Sequence, residues 1–131
     1  MRIERASFGA DAWPRRYFLG LYVDCRDYFV VAKAGGRIAG YAVACADQHN
    51  AEIASIAVHP DYRRRGVAIA LMRHTLGALG RAGFGRVELM VRTANTAGVQ
   101  LYRSLGFRRV RRVARYYEDG GDGFLMARAI Q

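Results

Sequence analysis

The order of hydrophobic and polar positions predicts a chain that alternates between strands and helices. The stretch YFVVAKAGGRIAGYAVACA contains two apolar segments around Gly35-Gly36, which is typical of two strands joined by a tight hairpin turn. The segment AEIASIAVHP first alternates and then becomes fully apolar, as a central strand does. From Gly66 onward, apolar residues recur every three or four positions over about 15 residues, and this spacing predicts a helix that ends in GRAGFG.

The second half of the chain continues the same alternation. RVELMVRT reads as a strand, and NTAGVQLYRSLGF as a helix with Asn95 as its N-cap and Gly106 as its stop. RRVRRVARYY and GFLMARAI then predict two antiparallel strands around the turn EDGGDG. Near the N-terminus, Ile3 to Phe8 and the segment from Pro14 onward predict two helices.

This order of elements indicates an α/β fold. The strand, helix and strand within residues 52–92 require at least one parallel strand pair, because a crossover connection joins them. With 131 residues and 52% hydrophobic residues, the chain suits a single domain spanning residues 1–131. Its longest apolar runs are far shorter than the roughly 20 residues that span a membrane, and MRIERASFGA is not a secretory signal, so no membrane association is expected.

Charge narrows the partners only in part. The net charge is +10 and Lys33 is the only lysine, so the basic residues are nearly all arginines. Such a balance favours polyanions such as nucleic acid, a ribosome surface, acidic peptides or a phosphate-rich cofactor, but a GC-rich genome also favours arginine. Cys25 and Cys45 lack the spacing of metal ligands, which predicts two buried thiols in a reducing cytosol and no metal site.

The stretch HPDYRRRGVAIAL places three arginines and Gly66 between a buried strand and a helix. The first N–H groups of a helix lack internal partners, and glycine lets a ligand approach the backbone closely. This combination predicts a site for a phosphate or pyrophosphate. The stretch matches neither GxGxxG nor GxxxxGK[ST], so a Rossmann dinucleotide site is unsupported and a P-loop is excluded.

Three motifs together resemble the GNAT superfamily of N-acetyltransferases. IAVHPDYRRRGVAIALM resembles its acetyl-coenzyme A signature, MVRTANTAGVQLYRSLGF its second signature, and YYEDGGDGFLM the terminal hairpin of its protein N-terminal acetyltransferases, including the ribosomal-protein-alanine type. The resemblance extends from about Tyr28 to the end of the chain. It implies a mixed, mostly antiparallel sheet with flanking helices, and a first strand that is missing or shortened because RIERASF matches the family's first helix.

The resemblance also implies acetyl-CoA as the acetyl donor and names its binding residues. The strand before the turn would bind the pantetheine arm, and N–H groups of the turn would hold the pyrophosphate. Asn95 and Tyr102 would contact the cofactor, and their spacing of seven residues places them on one helix face. The implied cofactor-binding residues are Ile56, Ala57, Val58, Arg63, Arg64, Arg65, Gly66, Val67, Ala68, Asn95 and Tyr102.

The expected chemistry is attack of an amine on a thioester, which needs a base for the amine and an acid for the departing thiolate. By resemblance, Tyr102 is the expected acid. Met90 stands where the ribosomal-protein-alanine type has a glutamate proposed as the base, and Glu88 lies about 7 Å away along the strand. Glu52 resembles the catalytic glutamate of the histone-acetylating branch, and its strand parity with Ile56 would point it into the same cleft. A solvated strand-end carboxylate and a water chain without a single base stay open as alternatives.

On the acceptor side, Tyr116 and Tyr117 match tyrosines that line the peptide entrance in N-terminal acetyltransferases, with cross-strand packing as the alternative. Trp13, Pro14 and Tyr17 fall near the family's substrate loop. His59 is expected to be structural, and neither it nor His49 is favoured as a base.

The sequence therefore predicts a cytoplasmic N-acetyltransferase, monomeric or homodimeric, that acts on a protein N-terminal α-amine. The acceptor alternatives are a lysine, a small amine or aminoacyl-tRNA. A non-catalytic module that binds CoA or nucleic acid is the alternative of a different class. The basic charge further suggests proximity to the ribosome or RNA.

Overall fold

The computed structural model describes residues 2–5, 28–46 and 50–130, and of the side chains in 2–5 only that of Ile3. Within these residues the strands are β1 (Arg2–Arg5), β2 (Phe29–Ala34), β3 (Arg37–Ala46), β4 (Ala51–Val58), β5 (Arg86–Arg92), β6 (Arg108–Val113) and β7 (Gly123–Ala129). The helices are α1 (Val67–Arg81) and α2 (Thr96–Ser104), and a 3₁₀ turn spans Pro60–Tyr62.

The described strands form one sheet of seven strands in the order β1-β2-β3-β4-β5-β7-β6. Of the neighbouring pairs in that sheet, β4 and β5 are parallel and the others are antiparallel. The mixed, mostly antiparallel sheet with flanking helices is thereby confirmed. The hairpin at Gly35-Gly36 is also confirmed, since both glycines adopt the positive φ angles that its turn requires.

The N-terminus differs from its prediction. Arg2–Arg5 is a strand that pairs antiparallel with β2, so the predicted helix over Ile3 to Phe8 is wrong for Ile3 to Arg5. The first strand is therefore present and short, because cross-strand pairing along β2 overrides the local pattern. The rest of that segment and the predicted helix from Pro14 lie outside the described residues, as do Trp13, Tyr17, Cys25 and His49.

Helix α1 packs its apolar stripe against the sheet, as its periodicity predicts. Leu71, Met72 and Leu79 are fully buried. Thr75 is also buried, and its hydroxyl donates to the carbonyl of Leu71 over 2.8 Å, which satisfies the group inside the core. This packing fixes the N-terminal end of α1 beside the end of β4.

The prediction of free thiols is wrong for Cys45. This residue is half-buried, packs near Phe29 and Val43 on the sheet face opposite α1, and is disulfide-bonded. The structure also contains, in its described part, no helix long and apolar enough to cross a membrane.

Candidate active site

Strands β4 and β5 pair over only a short stretch and then separate. Ala51–Ile53 of β4 pair in parallel with Val87–Leu89 of β5. Beyond this pairing, β4 continues to Val58 and β5 continues to Arg92. The separation begins next to a β-bulge, where Ala54 is the extra residue of β4 opposite β3. The gap leaves backbone groups of β4 without a neighbouring strand, and two cavities open there.

The larger cavity, about 630 Å³ in volume, lies between the end of β4, the start of α1 and the exposed side of α2. Its lining contains ten of the eleven residues predicted to bind the cofactor, all except Arg65. The guanidinium of Arg65 instead lies over the ring of Tyr62, 5.6 Å from its centroid. The structure therefore gathers the predicted cofactor residues around one space.

The turn before α1 has the geometry of an anion site. Arg64 and Gly66 adopt left-handed φ angles of 63° and 75°, which point successive N–H groups in one direction. In the described part of the chain, the backbone N–H groups of residues 64–68 donate no hydrogen bond, and the first helical bond is Ala70 N–H to the Gly66 carbonyl. A side chain on Gly66 would meet no atom within 4 Å, so the open side of the turn can receive a ligand.

Asn95 connects α2 to this cavity. Its Oδ1 accepts a hydrogen bond of 2.9 Å from the Gly98 N–H, which confirms Asn95 as the N-cap of α2. A Cβ on Gly98 would lie 2.5 Å from Asn95 Nδ2, so the capping conformation requires a glycine here. The amide group of Asn95 consequently stays at the wall that the two cavities share.

Tyr102 lies on α2 where the two cavities meet, and it lines both. Its ring packs edge-on against Phe107 at 6.0 Å between centroids. Its hydroxyl makes no hydrogen bond with any described residue. Burial, and then the nearby Tyr117, raise the pKa of Tyr102 above its usual value of 10.0. The hydroxyl is therefore protonated at neutral pH and available as a proton donor.

The smaller cavity, about 240 Å³, extends from Tyr102 along the separated strands. Met90 and Arg92 contribute from β5, Ala54 and Ser55 from β4, and Tyr117 from the β6–β7 connection. Within the described residues the lining includes no carboxylate. The position where the sequence comparison expects a glutamate is thus an apolar thioether wall.

Arg92 holds the β6–β7 connection over this cavity. Its Nη1 donates to both carboxylate oxygens of Asp119 at 3.0 Å, and its guanidinium lies 4.1 Å from the ring centroid of Tyr117. The hydrogen bond from Arg92, and then one from the Gly121 N–H, hold the pKa of Asp119 below its usual value of 3.8. These contacts fix Tyr117 at the cavity wall, while Tyr116 is exposed and stacks edge-on against Tyr117 at 4.9 Å.

Glu52 lies on a different face from the one its sequence parity indicates. Ile53 and Ile56 both pack toward α1, because the bulge at Ala54 shifts the alternation by one residue. Glu52, opposite Cys45 in the register, faces the other side of the sheet and lines neither cavity. The premise that Glu52 shares a face with Ile56 is therefore wrong.

The surroundings of Glu52 nevertheless raise the pKa of its carboxyl group. Its register partner on β5 is Glu88, whose carboxylate accepts a 2.8 Å hydrogen bond from Arg86. Although Glu52 is exposed overall, partial burial of its carboxyl group, and then repulsion from Glu88, raise its pKa above the usual 4.5.

Residues 2–107 match the model of the Acetyltransferase (GNAT) family. The chain belongs to this family. The N-alpha-acetyltransferase RimI of Mycobacterium tuberculosis is 37% identical over 125 residues, covering 92% of this chain and 77% of that protein. The [ribosomal protein bS18]-alanine N-acetyltransferase of Escherichia coli K12 is 37% identical over 98 residues, covering 72% of this chain and 66%, just under two thirds, of that protein.

The solved structures agree with this placement. The ribosomal-protein-S18-alanine N-acetyltransferase from Escherichia coli aligns with a TM-score of 0.78 at 30% identity, covering 94% of this chain and 81% of that one. Ard1 from Thermoplasma volcanium has a TM-score of 0.87 over 99% of this chain and 97% of that one; at 24% identity it supports the fold alone. This GNAT protein is thus an acetyl-CoA-dependent acyltransferase, and the predicted branch is confirmed.

Sequence reasoning missed three contributors to the GNAT site. Arg92 is the last residue of β5, but the neighbouring sequence does not indicate that its side chain contacts Asp119, which is 27 residues away. Ala54 and Ser55 line the smaller cavity because of the bulge, which no sequence pattern predicts. His59, as expected, is structural: its Nδ1 accepts a hydrogen bond from the Asp61 N–H and caps the 3₁₀ turn.

Proposed function

We propose that this protein transfers the acetyl group of acetyl-CoA to the α-amine of a protein N-terminus. The observation that carries the proposal is that two cavities of different character meet at Tyr102. One is bordered by a turn of unpaired N–H groups, and the other by aromatic and apolar side chains. The relative from M. tuberculosis is an N-alpha-acetyltransferase and the one from E. coli is a ribosomal-protein-alanine N-acetyltransferase, which supports this acceptor.

The larger cavity fits acetyl-CoA. The turn at residues 64–68 offers N–H donors and the positive end of α1 to the pyrophosphate, with the arginine side chains adding charge. The edge of β4 at Ile56, Ala57 and Val58 has no partner strand across the gap and offers backbone groups to the pantetheine amides, although the Val58 carbonyl already accepts a 3.4 Å hydrogen bond from Arg63 Nε. When bound, acetyl-CoA supplies the acetyl group as a thioester.

Tyr102 is the proposed general acid. Because its pKa is raised, it retains its proton at neutral pH, whereas a free thiol has a pKa of roughly 8.5. As the C–S bond breaks, the hydroxyl can donate its proton to the leaving sulfur, and the phenolate, which is the stronger base of the two, then takes up a proton from solvent. Unpaired N–H groups of β4 beside the gap are suitably placed to stabilise negative charge on the acetyl oxygen.

Glu52 is the proposed general base, acting through water. It faces the same side of the sheet as Ser55, which lines the acceptor cavity, and it lies two residues, about 7 Å, from Ala54. Because Glu52 lines neither cavity, a bridging water would carry the proton from the amine to its carboxylate. The raised pKa of the carboxylate makes it a better proton acceptor than an ordinary glutamate.

The pH dependence of kcat tests this base. A base must be deprotonated, so activity should rise with pH through the raised pKa of Glu52. Glu52→Gln should remove that limb of the profile. Glu88→Gln removes the repulsion that raises the pKa of Glu52, so the limb should move to lower pH while activity persists. An unchanged profile in Glu52→Gln would show that Glu52 is not the base.

The acceptor is tested with peptides that differ only in which amine is free. We expect acetylation of peptides with a free α-amine and no internal lysine, and little turnover of the same sequences carrying a blocked N-terminus and one lysine. Mass spectrometry locates the added acetyl group. Preferential acetylation of the lysine peptides, of polyamines or of aminoacyl-tRNA would reject the proposed acceptor while leaving the acetyl-CoA site intact.

The E. coli relative is named for a ribosomal protein, which supports a cytoplasmic location.

A further inference from the structure

A concentration of arginines lies on and beside strand β6, at one edge of the described sheet. Strand β6 is the outer strand at this edge of the described sheet, and four of its six residues are exposed arginines. Beside it, β7 and the start of β5 border an open groove of about 590 Å³. We call this region the arginine surface; it consists of Arg86, Arg108, Arg109, Arg111 and Arg128.

Most of the charge on the arginine surface is uncompensated. Arg86 pairs with Glu88. The other four members contact no carboxylate in the described part of the chain, and the described lining of the groove includes no acidic residue. The carboxylates of the β6–β7 connection lie at the opposite end of the hairpin, where Asp122 binds Arg112 at 2.6 Å and Asp119 binds Arg92. The arginine surface therefore presents unneutralised positive charge.

Two of these arginines are held in place by the fold. Arg128 donates from Nη1 to the Leu105 carbonyl over 2.6 Å, and the guanidinium of Arg109 lies 4.3 Å from the ring centroid of Phe124. Val110 forms a bulge between Arg109 and Arg111, and Arg108 and Arg111 project without such contacts. Partly pre-ordered guanidinium groups bind phosphate oxygens with a smaller loss of side-chain entropy.

The arginine surface suits a phosphate polymer better than an acidic protein. Protein interfaces normally bury an apolar centre with aromatic residues. Val110, 49% exposed, is the one strongly exposed large apolar residue that the described chain places here. A nucleic-acid backbone needs no apolar centre, because release of its counterions supplies the binding free energy.

We propose that the arginine surface binds the phosphate backbone of RNA. None of the five arginines lines either cavity of the reaction cleft, and strand β7 lies between β6 and β5, although Arg111 is in register with Met90 through Leu125. RNA and acetyl-CoA can therefore bind at the same time. For an enzyme that acts on protein N-termini, as proposed above, such a surface would hold the enzyme near RNA-rich assemblies.

The test measures binding of a mixed-sequence single-stranded RNA of 16 nucleotides to the full chain over a range of salt concentrations. Saturating acetyl-CoA is included so that the turn at residues 64–68 is occupied. The double variant Arg108→Gln/Arg111→Gln should reduce the slope of log K against log salt by about 1.4, since each phosphate contact to a single strand contributes about 0.7. Acetylation of a peptide should be unchanged, because neither residue lines the cleft.

The matched control is Arg73→Gln/Arg81→Gln, which removes the same charge from the exposed side of α1. It should keep the wild-type slope. Equal losses in both double variants would show a bulk charge effect and overturn the proposal, as would an unchanged slope in Arg108→Gln/Arg111→Gln. Competition by poly-glutamate as effective as that by RNA would identify an acidic protein as the partner instead. Peptide acetylation and RNA binding are separate readouts, so failure of one is distinguishable from failure of the other.

Discussion

Replacing Tyr102 by phenylalanine should lower kcat with little effect on folding. The variant keeps the aromatic ring that packs against Phe107 and removes only the hydroxyl. That hydroxyl has no hydrogen-bond partner among the described residues, so no internal bond is lost. We expect the free energy of unfolding to change by less than about 0.5 kcal/mol.

The size of the kinetic effect follows from the role of the hydroxyl. General acids typically contribute about 10²- to 10⁴-fold, and a thiolate leaves more readily than an alkoxide or amine, so the lower end applies. A loss of about 10² in kcat corresponds to about 2.7 kcal/mol of transition-state stabilisation. The KM for acetyl-CoA should change less than kcat, because the N–H groups of the turn and the edge of β4 remain.

The assay follows release of the CoA thiol with a chromogenic thiol reagent, at varied acetyl-CoA and a fixed saturating peptide. Tyr117→Phe is the matched control, since it removes a hydroxyl from the same cavity and leaves the Tyr102 hydroxyl in place, relieving only the smaller of the two effects that raise the Tyr102 pKa. A Tyr102→Phe variant with wild-type kcat and a raised KM for acetyl-CoA would refute the role as acid and leave a binding role. A large drop in the melting temperature would show that the hydroxyl is structural.

Two further substitutions test the walls of the cleft. Gly98→Ala should displace the Asn95 cap, because the new Cβ would occupy the space of the Asn95 side chain. We expect a higher KM for acetyl-CoA and a loss of about 1 kcal/mol in the free energy of unfolding. An unchanged KM would show that Asn95 does not contact the cofactor. Asp119→Asn should weaken the contact with Arg92, whose guanidinium orients Tyr117. We therefore expect a higher KM for the peptide and a kcat near wild type. An unchanged peptide KM would count against the positioning of Tyr117 by Arg92.

Asp122 provides the matched control for the second substitution. It lies in the same connection and also pairs with an arginine, Arg112, but that pair does not contact Tyr117. Asp122→Asn should therefore leave the peptide KM closer to wild type than Asp119→Asn does. Equal effects from the two variants would indicate general loosening of the connection rather than positioning through Arg92.

The sequence by itself determined the local elements and the cofactor half of the site. The periodicity of α1, the cap at Asn95 and the turn at Gly66 depend on residues near one another in the chain, so short-range patterns record them. The unpaired N–H groups at residues 64–68 follow from the same local geometry. The resemblance to the GNAT family implied the full set of cofactor residues, and the folded chain brings all of them except Arg65 together in one cavity.

Only the tertiary structure determined the acceptor cavity and the face of the sheet on which Glu52 lies. One extra residue in β4 reverses the alternation of side chains, and this depends on the register with β3 rather than on any residue type. Strand β1 likewise exists because β2 offers it an edge to pair with. The contact between Arg92 and Asp119 joins residues from two distant segments, and only the folded sheet brings them within hydrogen-bonding distance.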